Sequence, residues 1–316
     1  MDSEWSIIPS GWCETNELNM RASLQEVVTA MESSSVPKII TQKPFDYDPG
    51  HYKRLCNLQG SQPSNGDLID YALDMTYMEL QPELLRHLMP VLLNAWRRDL
   101  FEGEAAGFGG FVERFWPALL KGKTLQTIFS EAERVAVMRF MRDSILDRLD
   151  VEDLLTFTGS KASPYGWVQA FVSFGVLFPD IESLWTVWWQ MKTSGHAVAA
   201  FQYVSALLYE DNKNPIFAPW TRDKGGGPPA LWECGCHMFD VGWKEENLSF
   251  LQRTLSVDYI EQNLRVASDQ IQTMPVKEIA SRIMSELSNQ RALLALRIEE
   301  LPKLLTNVSR VEGFTL

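Results

Sequence analysis

One short run brings together the side chains that could ligate a transition metal. Cys234, Cys236 and His237 offer two thiols and an imidazole side by side. Structural zinc needs four ligands, usually as pairs about two to four residues apart, and no second pair occurs nearby. We therefore predict no cofactor and no metal. These three residues are the candidates for a transition-metal site, and we interpret them as small thiols and a histidine in a loop.

Carboxylates also recur at helical spacing in two places. The two sets are Asp67, Asp70 and Asp74, and Asp143, Asp147 and Asp150. Carboxylates that share one helical face could hold Mg²⁺. However, Arg139 precedes Asp143 by four residues, and alternating charge is typical of a solvated, salt-bridged helix face.

No pattern of residues indicates a catalytic centre. Ser194 and His196 are close in sequence, but a nucleophile and its base meet through folding rather than adjacency. Gly225 to Gly227 follow Lys224, yet prolines come next instead of the Gly-Lys-Ser/Thr of a phosphate-binding loop. We predict no catalytic residue, and an enzyme is the less favoured class.

The segment 211–243 is the most promising place for a binding site. Helical periodicity disappears there, glycines and prolines are frequent, and irregular loops of this length are often functional. Tryptophans flanked by carboxylates could grip a basic protein or stack on a small ligand. The predicted binding residues are Trp220, Asp223, Trp232, Glu233, Asp240 and Trp243. A small-molecule pocket under this loop, with or without catalysis, is the alternative, and Cys236, His237 and Asp240 would line it.

The net charge narrows the choice of partner. A formal charge of -12 and a pI near 4.9 disfavour nucleic acid, which is bound mainly through Lys and Arg. The same charge favours docking on a basic protein. The favoured function is therefore an acidic protein-binding module, for example an immunity or inhibitor protein that occludes a basic toxin or enzyme.

The start of the chain and its hydropathy predict a location inside the cell. Residues 1–10 lack the basic and apolar regions of a secretory signal, and no apolar run approaches the roughly 18 residues of a membrane span. Four scattered cysteines do not indicate a disulfide framework. We expect a cytoplasmic protein without a membrane partner.

Helical stripes position these candidates. From Pro82 onward, apolar residues recur every three to four positions as far as Leu100, although Pro90 predicts a kink or two shorter helices. Ser130 and Glu133 form a capping-box pattern that predicts the start of another helix. Farther along, three tryptophans share one helical face, which is typical of a core, at Trp185, Trp188 and Trp189.

Two long helices are predicted at the end of the chain, over 245–271 and 276–301. The second carries a seven-residue apolar repeat at Ala280, Leu287, Leu294, Leu301 and Val308. This repeat favours an intramolecular hairpin, and a helix-mediated homodimer is the alternative to a monomer. A structural protein that assembles through this helix is the third functional hypothesis.

Together these patterns predict a mostly α-helical protein of one or more bundles, with a long irregular aromatic and Gly/Pro-rich loop and little or no sheet. The predicted organisation is an irregular N-terminal arm at 1–66, an N-terminal helical unit at 67–160, and a C-terminal helical unit at 161–316 that contains the loop 211–243.

Overall fold

Helix is the only regular secondary structure in the part of the chain that the structure describes. The computed structural model describes residues 21–31, 36–45, 50–57, 64–102, 111–153, 155, 166–208 and 242–306. These residues form fourteen α-helices and no strand, which confirms the mostly α-helical prediction. None of these helices is both long and apolar enough to cross a membrane.

The chain divides into two compact units. The N-terminal unit comprises the described residues within Met1–Asp99 and Gly109–Met141, and the C-terminal unit those within Leu100–Phe108 and Arg142–Leu316. Both units are discontinuous in sequence.

The N-terminal unit contains six helices and the first part of a seventh among its described residues. The six are α1 (Leu24–Ala30), α2 (Gly50–Cys56), α3 (Asn65–Tyr77), α4 (Pro82–Glu102), α5 (Phe111–Leu120) and α6 (Thr124–Ile128), with a 3₁₀ turn at Lys121–Lys123. The last residues of α4 belong to the other unit. Helix α3 packs against α2 and α5.

Helix α4 continues through Pro90 as a single helix, so the alternative of two shorter helices is wrong. Proline removes one backbone hydrogen bond, but the apolar stripe on both sides of it is buried. Trp96 on this stripe packs edge-on against Trp116 of α5, with 5.4 Å between ring centroids. Burial of the whole stripe offsets the lost hydrogen bond.

Helix α7 (Glu131–Asp150) begins at the predicted capping box. The Glu133 carboxylate accepts from the Ser130 N–H at 2.6 Å, and the Ser130 hydroxyl accepts from the Glu133 N–H at 3.3 Å. These two bonds satisfy amides that have no partner within the helix. Its residues 131–141 belong to the N-terminal unit and 142–150 to the C-terminal unit.

The C-terminal unit is built around one buried helix, α10. Its helices are α8 (Gly166–Leu177), α9 (Ile181–Trp188), α10 (Ser194–Leu208), α11 (Glu245–Thr254), α12 (Val257–Gln270), α13 (Met274–Asn289) and α14 (Arg291–Thr306). Helix α10 packs against α12, α13 and α14, and only Ser194 and Ala206 escape burial along its length. A helix that is buried on all sides is the centre of its unit.

The two long C-terminal helices of the sequence analysis are each divided in the structure. The first breaks before Ser256, whose hydroxyl accepts from the Tyr259 N–H and starts α12. The second breaks at Gln290, between α13 and α14. The prediction of two continuous helices was therefore wrong, because a local cap and a non-helical residue outweigh the apolar period. Four residues of the repeat are nevertheless buried within the unit, at Ala280, Leu287, Leu294 and Leu301.

Candidate functional site

The C-terminal unit contains a cluster of interlocked rings, called here the aromatic cluster. Its members are Trp167, Phe171, Trp185, Trp188, Trp189, Tyr203 and Trp243. Most of the contacts are edge-to-face or tilted, a geometry that aromatic quadrupoles favour. Trp185 and Trp188 of α9 and Trp189 directly after it are buried, which confirms that they belong to the core.

Hydrogen bonds fix the orientation of four indole rings in this cluster. The indole N–H of Trp167 donates to the Gln202 amide oxygen at 2.7 Å, and that of Trp185 donates to the Tyr259 hydroxyl at 3.0 Å. The indole N–H of Trp188 donates to the His196 carbonyl at 3.0 Å, and that of Trp243 donates to the Val172 carbonyl at 2.9 Å. Each bond satisfies a buried donor and selects one ring position. The cluster is therefore a rigid support.

Trp243 connects this support to the segment that precedes it. Its side chain is only 5% exposed, and its ring centroid lies 5.6 Å from that of Phe171. A Cβ at Gly175 would lie 2.4 Å from the indole Cε2, so only glycine leaves room for the ring. The backbone N–H of Trp243 donates to the Leu305 carbonyl at 2.8 Å, which connects the main chain at this position to α14.

Gly242 shows equally close packing on the other side of this junction. A Cβ at this position would lie 2.0 Å from the Thr306 carbonyl oxygen. The backbone of residues 242–243 is thus pressed against the end of α14, a close approach that glycine permits. The segment 209–241 follows Leu208, a buried residue of α10, and precedes Gly242. Both flanking residues belong to the C-terminal unit.

The predicted binding residues lie in and directly after this segment. Trp220, Asp223, Trp232, Glu233 and Asp240 lie outside the described residues, as do Cys234, Cys236 and His237. Trp243 is described, and its side chain is buried in the core of the C-terminal unit. The prediction that the other five residues form a binding surface stays a prediction.

His196 lies at the start of α10 and contacts the end of α7. Its buried Nε2 is 2.9 Å from an Asp150 carboxylate oxygen, and the Thr193 hydroxyl donates to the same oxygen at 3.1 Å. The Thr193 oxygen also accepts the His196 N–H, which caps the helix. A Cβ at Gly195 would lie 2.3 Å from the Asp150 carbonyl oxygen. This arrangement holds two helices in close contact.

The two aspartate sets do not converge on a cation site. Among the described residues, no group of three or more His, Cys, Asp or Glu side chains could hold a metal ion. Asp67 pairs with Arg54, Asp143 pairs with Arg142, and Asp150 pairs with His196. These three carboxylates therefore lie beside arginine or histidine side chains and not beside one another.

Another buried polar group, in the N-terminal unit, was missed by the sequence analysis. His51 Nε2 lies 2.8 Å from a carboxylate oxygen of Asp74, and both side chains are buried. Tyr52 also hydrogen-bonds to Asp74, and burial together with this bond raises the pKa of the Tyr52 hydroxyl. This contact could not be predicted from a local sequence pattern, because 23 positions separate the histidine from the aspartate.

Asp67 gives the N-terminal unit a predictable response to acid. The pKa of Asp67 is lowered mainly by its hydrogen bond with the Arg54 guanidinium and also by the Ser64 hydroxyl, although burial acts in the opposite direction. A lowered pKa contributes stability above the ordinary value of the carboxyl, and this contribution disappears as the pH falls through the value in the folded state.

The variant Arg54→Met should therefore lose stability at pH 7 and show a smaller further loss below about pH 4 than the wild type. Thermal melting followed between pH 7 and pH 2.5 measures both effects. Lys53→Met removes an exposed positive charge from the neighbouring position and is the matched control. The same acid response in Arg54→Met as in Lys53→Met would contradict the assignment.

Comparison of the chain with protein-family models, with curated proteins and with solved structures found no match.

Proposed function

We propose that this protein binds a basic protein partner through the segment 209–241, whose flanking residues Leu208 and Gly242 belong to the C-terminal unit. The observation that supports this proposal is the junction at Gly242 and Trp243. A segment whose two ends are fixed on a rigid unit loses less conformational freedom when it binds than a free tail of the same length. Immunity or inhibition, in which the partner's working surface is covered, is the specific form that we favour.

The distribution of charge in the sequence is consistent with a binding surface away from the C-terminal helices. Residues 244–306, which form α11 to α14, contain nine acidic and eight basic residues. The segment 209–241 contains five acidic and three basic residues, and the first eighty residues contain twelve and five. Attraction of a basic partner would therefore come from the segment and from the N-terminal part of the chain.

Native mass spectrometry of the tagged chain, isolated gently from its source cells, tests the proposal. We expect a stoichiometric complex with a basic protein. Two variants, Trp232→Ala and Glu233→Lys, should each weaken the complex at least tenfold, because aromatic side chains and charges at the centre of an interface contribute most of its affinity.

Glu278→Lys is the matched control for charge, because it makes the same change at an exposed position of α13. It should leave the complex intact. Equal binding by Glu233→Lys and by the wild type, or the absence of any protein partner from gentle preparations, would contradict the proposal.

A further inference from the structure

Residues 39–45, called here the strap, are bound to the N-terminal unit by main-chain hydrogen bonds. The Gln81 side chain, just before α4, makes two of them. Its Oε1 accepts from the Thr41 N–H at 2.8 Å, and its Nε2 donates to the Ile39 carbonyl at 2.9 Å. One amide side chain thus contacts an acceptor and a donor of the strap's backbone. Such contacts do not depend on the side chains of the residues that they bind.

One side chain of the strap enters the body of the unit. Gln42 is 7% exposed, its Oε1 accepts from the Gln81 N–H at 3.0 Å, and its Nε2 donates to the Tyr52 hydroxyl at 3.2 Å. The Phe45 N–H donates to the buried carboxylate of Asp74. Both functional atoms of the Gln42 amide therefore have partners, one in α2 and the other directly before α4.

The exposure pattern of the strap is the reverse of that of an ordinary packed loop. Ile39 is 72% exposed and Phe45 is 54% exposed, whereas the polar Gln42 is buried. Loops that pack by the hydrophobic effect bury their apolar side chains and expose their amides. The Phe45 ring contacts the Tyr77 ring, with 4.9 Å between centroids. The other contacts that hold the strap are hydrogen bonds to its backbone and to one glutamine, as in many protein–peptide complexes.

We propose that Gln81, Tyr52 and Asp74 form a peptide-binding site that the chain fills with its own strap. The same site would accept, from another protein, a non-helical segment with a glutamine at the position of Gln42. The glutamine supplies specificity, because its loss leaves the Gln81 N–H and the Tyr52 hydroxyl without these partners. The proposal concerns the N-terminal unit and is independent of the function proposed for the segment 209–241.

Attachment of the strap to the same chain has a consequence for the test. A tethered segment competes at an effective concentration in about the millimolar range, so a free peptide at a lower concentration displaces it only when the strap's own contacts are weakened. Gln42→Ala in the full-length chain weakens them. The probe is a fluorescein-labelled synthetic peptide with the sequence of residues 36–45, and the matched peptide carries Gln42→Ala.

Fluorescence anisotropy then measures binding to three full-length chains, which are the wild type, Gln42→Ala and the double variant Gln42→Ala with Gln81→Ala. We expect the glutamine peptide to bind the Gln42→Ala chain at least tenfold more tightly than it binds either of the other two chains. On the Gln42→Ala chain, the glutamine peptide should also bind at least tenfold more tightly than the alanine peptide. Equal binding of the two peptides to the Gln42→Ala chain would overturn the proposal. So would the absence of binding to a folded Gln42→Ala chain at a peptide concentration of about 1 mM, which is near the effective concentration of the tethered strap.

Hydrogen exchange in the wild-type chain gives a second test that does not depend on the folding of a variant. At millimolar concentrations of the glutamine peptide, the amides of Thr41 and Phe45 should exchange faster, because the peptide takes their partners Gln81 and Asp74. The alanine peptide should leave both rates unchanged. Constant exchange of both amides across the titration with the glutamine peptide would also overturn the proposal.

Discussion

The variant Trp243→Ala is expected to lose about 3–5 kcal/mol of unfolding free energy, which is the usual effect of removing a large aromatic side chain from a core. The change empties the space between Phe171 and Gly175 and removes the hydrogen bond that the indole donates to the Val172 carbonyl. Denaturation by urea, followed by circular dichroism, measures the loss.

Trp232→Ala is the matched control, because it removes the same side chain within the segment 209–241. If Trp232 contacts a partner, its loss should change the stability of the free chain by less than about 0.5 kcal/mol. The pair of variants therefore separates the two roles that we assign to these tryptophans. A stable Trp243→Ala protein would contradict the view that this residue fixes the segment to the unit.

The variant Asn247→Asp should destabilise the C-terminal unit by about 3–5 kcal/mol, although it changes the shape of the side chain very little. The buried Asn247 amide donates to the carbonyls of Gly175 at 2.9 Å and Phe178 at 2.7 Å, and its oxygen accepts from the Ile181 N–H at 3.0 Å. A carboxylate would retain only the acceptor and would face two carbonyl oxygens. These three hydrogen bonds of the Asn247 side chain connect α11 to the turn between α8 and α9.

Thermal melting at pH 7 measures the effect of this change. Asn289→Asp makes the same substitution at an exposed position and should shift the melting temperature by only about 1–2 °C. A similar small shift in Asn247→Asp would show that the amide does not hold the turn. A shift of about 10 °C is the expected result.

Local chemistry explains which features of the fold the sequence could predict. The capping box at Ser130 and Glu133 and the tryptophan face of α9 were predicted correctly, because each depends on residues one turn apart. The break at Gln290 was missed because the apolar repeat continues across it without interruption. Periodicity records which face is buried, and it does not record whether the backbone remains helical.

The candidate sites show the same division between local and distant contacts. The sequence singled out the segment 211–243 by its composition, and the structure adds that Trp243, at its end, is a core residue. It gave no sign of the pairs formed by His51 with Asp74 and by His196 with Asp150, because their members are far apart in the chain. It also gave no sign that the strap buries its glutamine, which depends on Gln81, 39 residues away.

Hydrogen exchange of the chain with and without its copurified partner tests the proposed function most directly. We predict that partner binding slows exchange in peptides that cover residues 209–241 and leaves the buried helix α10 unchanged. Slower exchange confined to α11 to α14, with no change in residues 209–241, would contradict the proposal. The partner would then bind the charge-balanced helical surface instead of the segment fixed at Trp243.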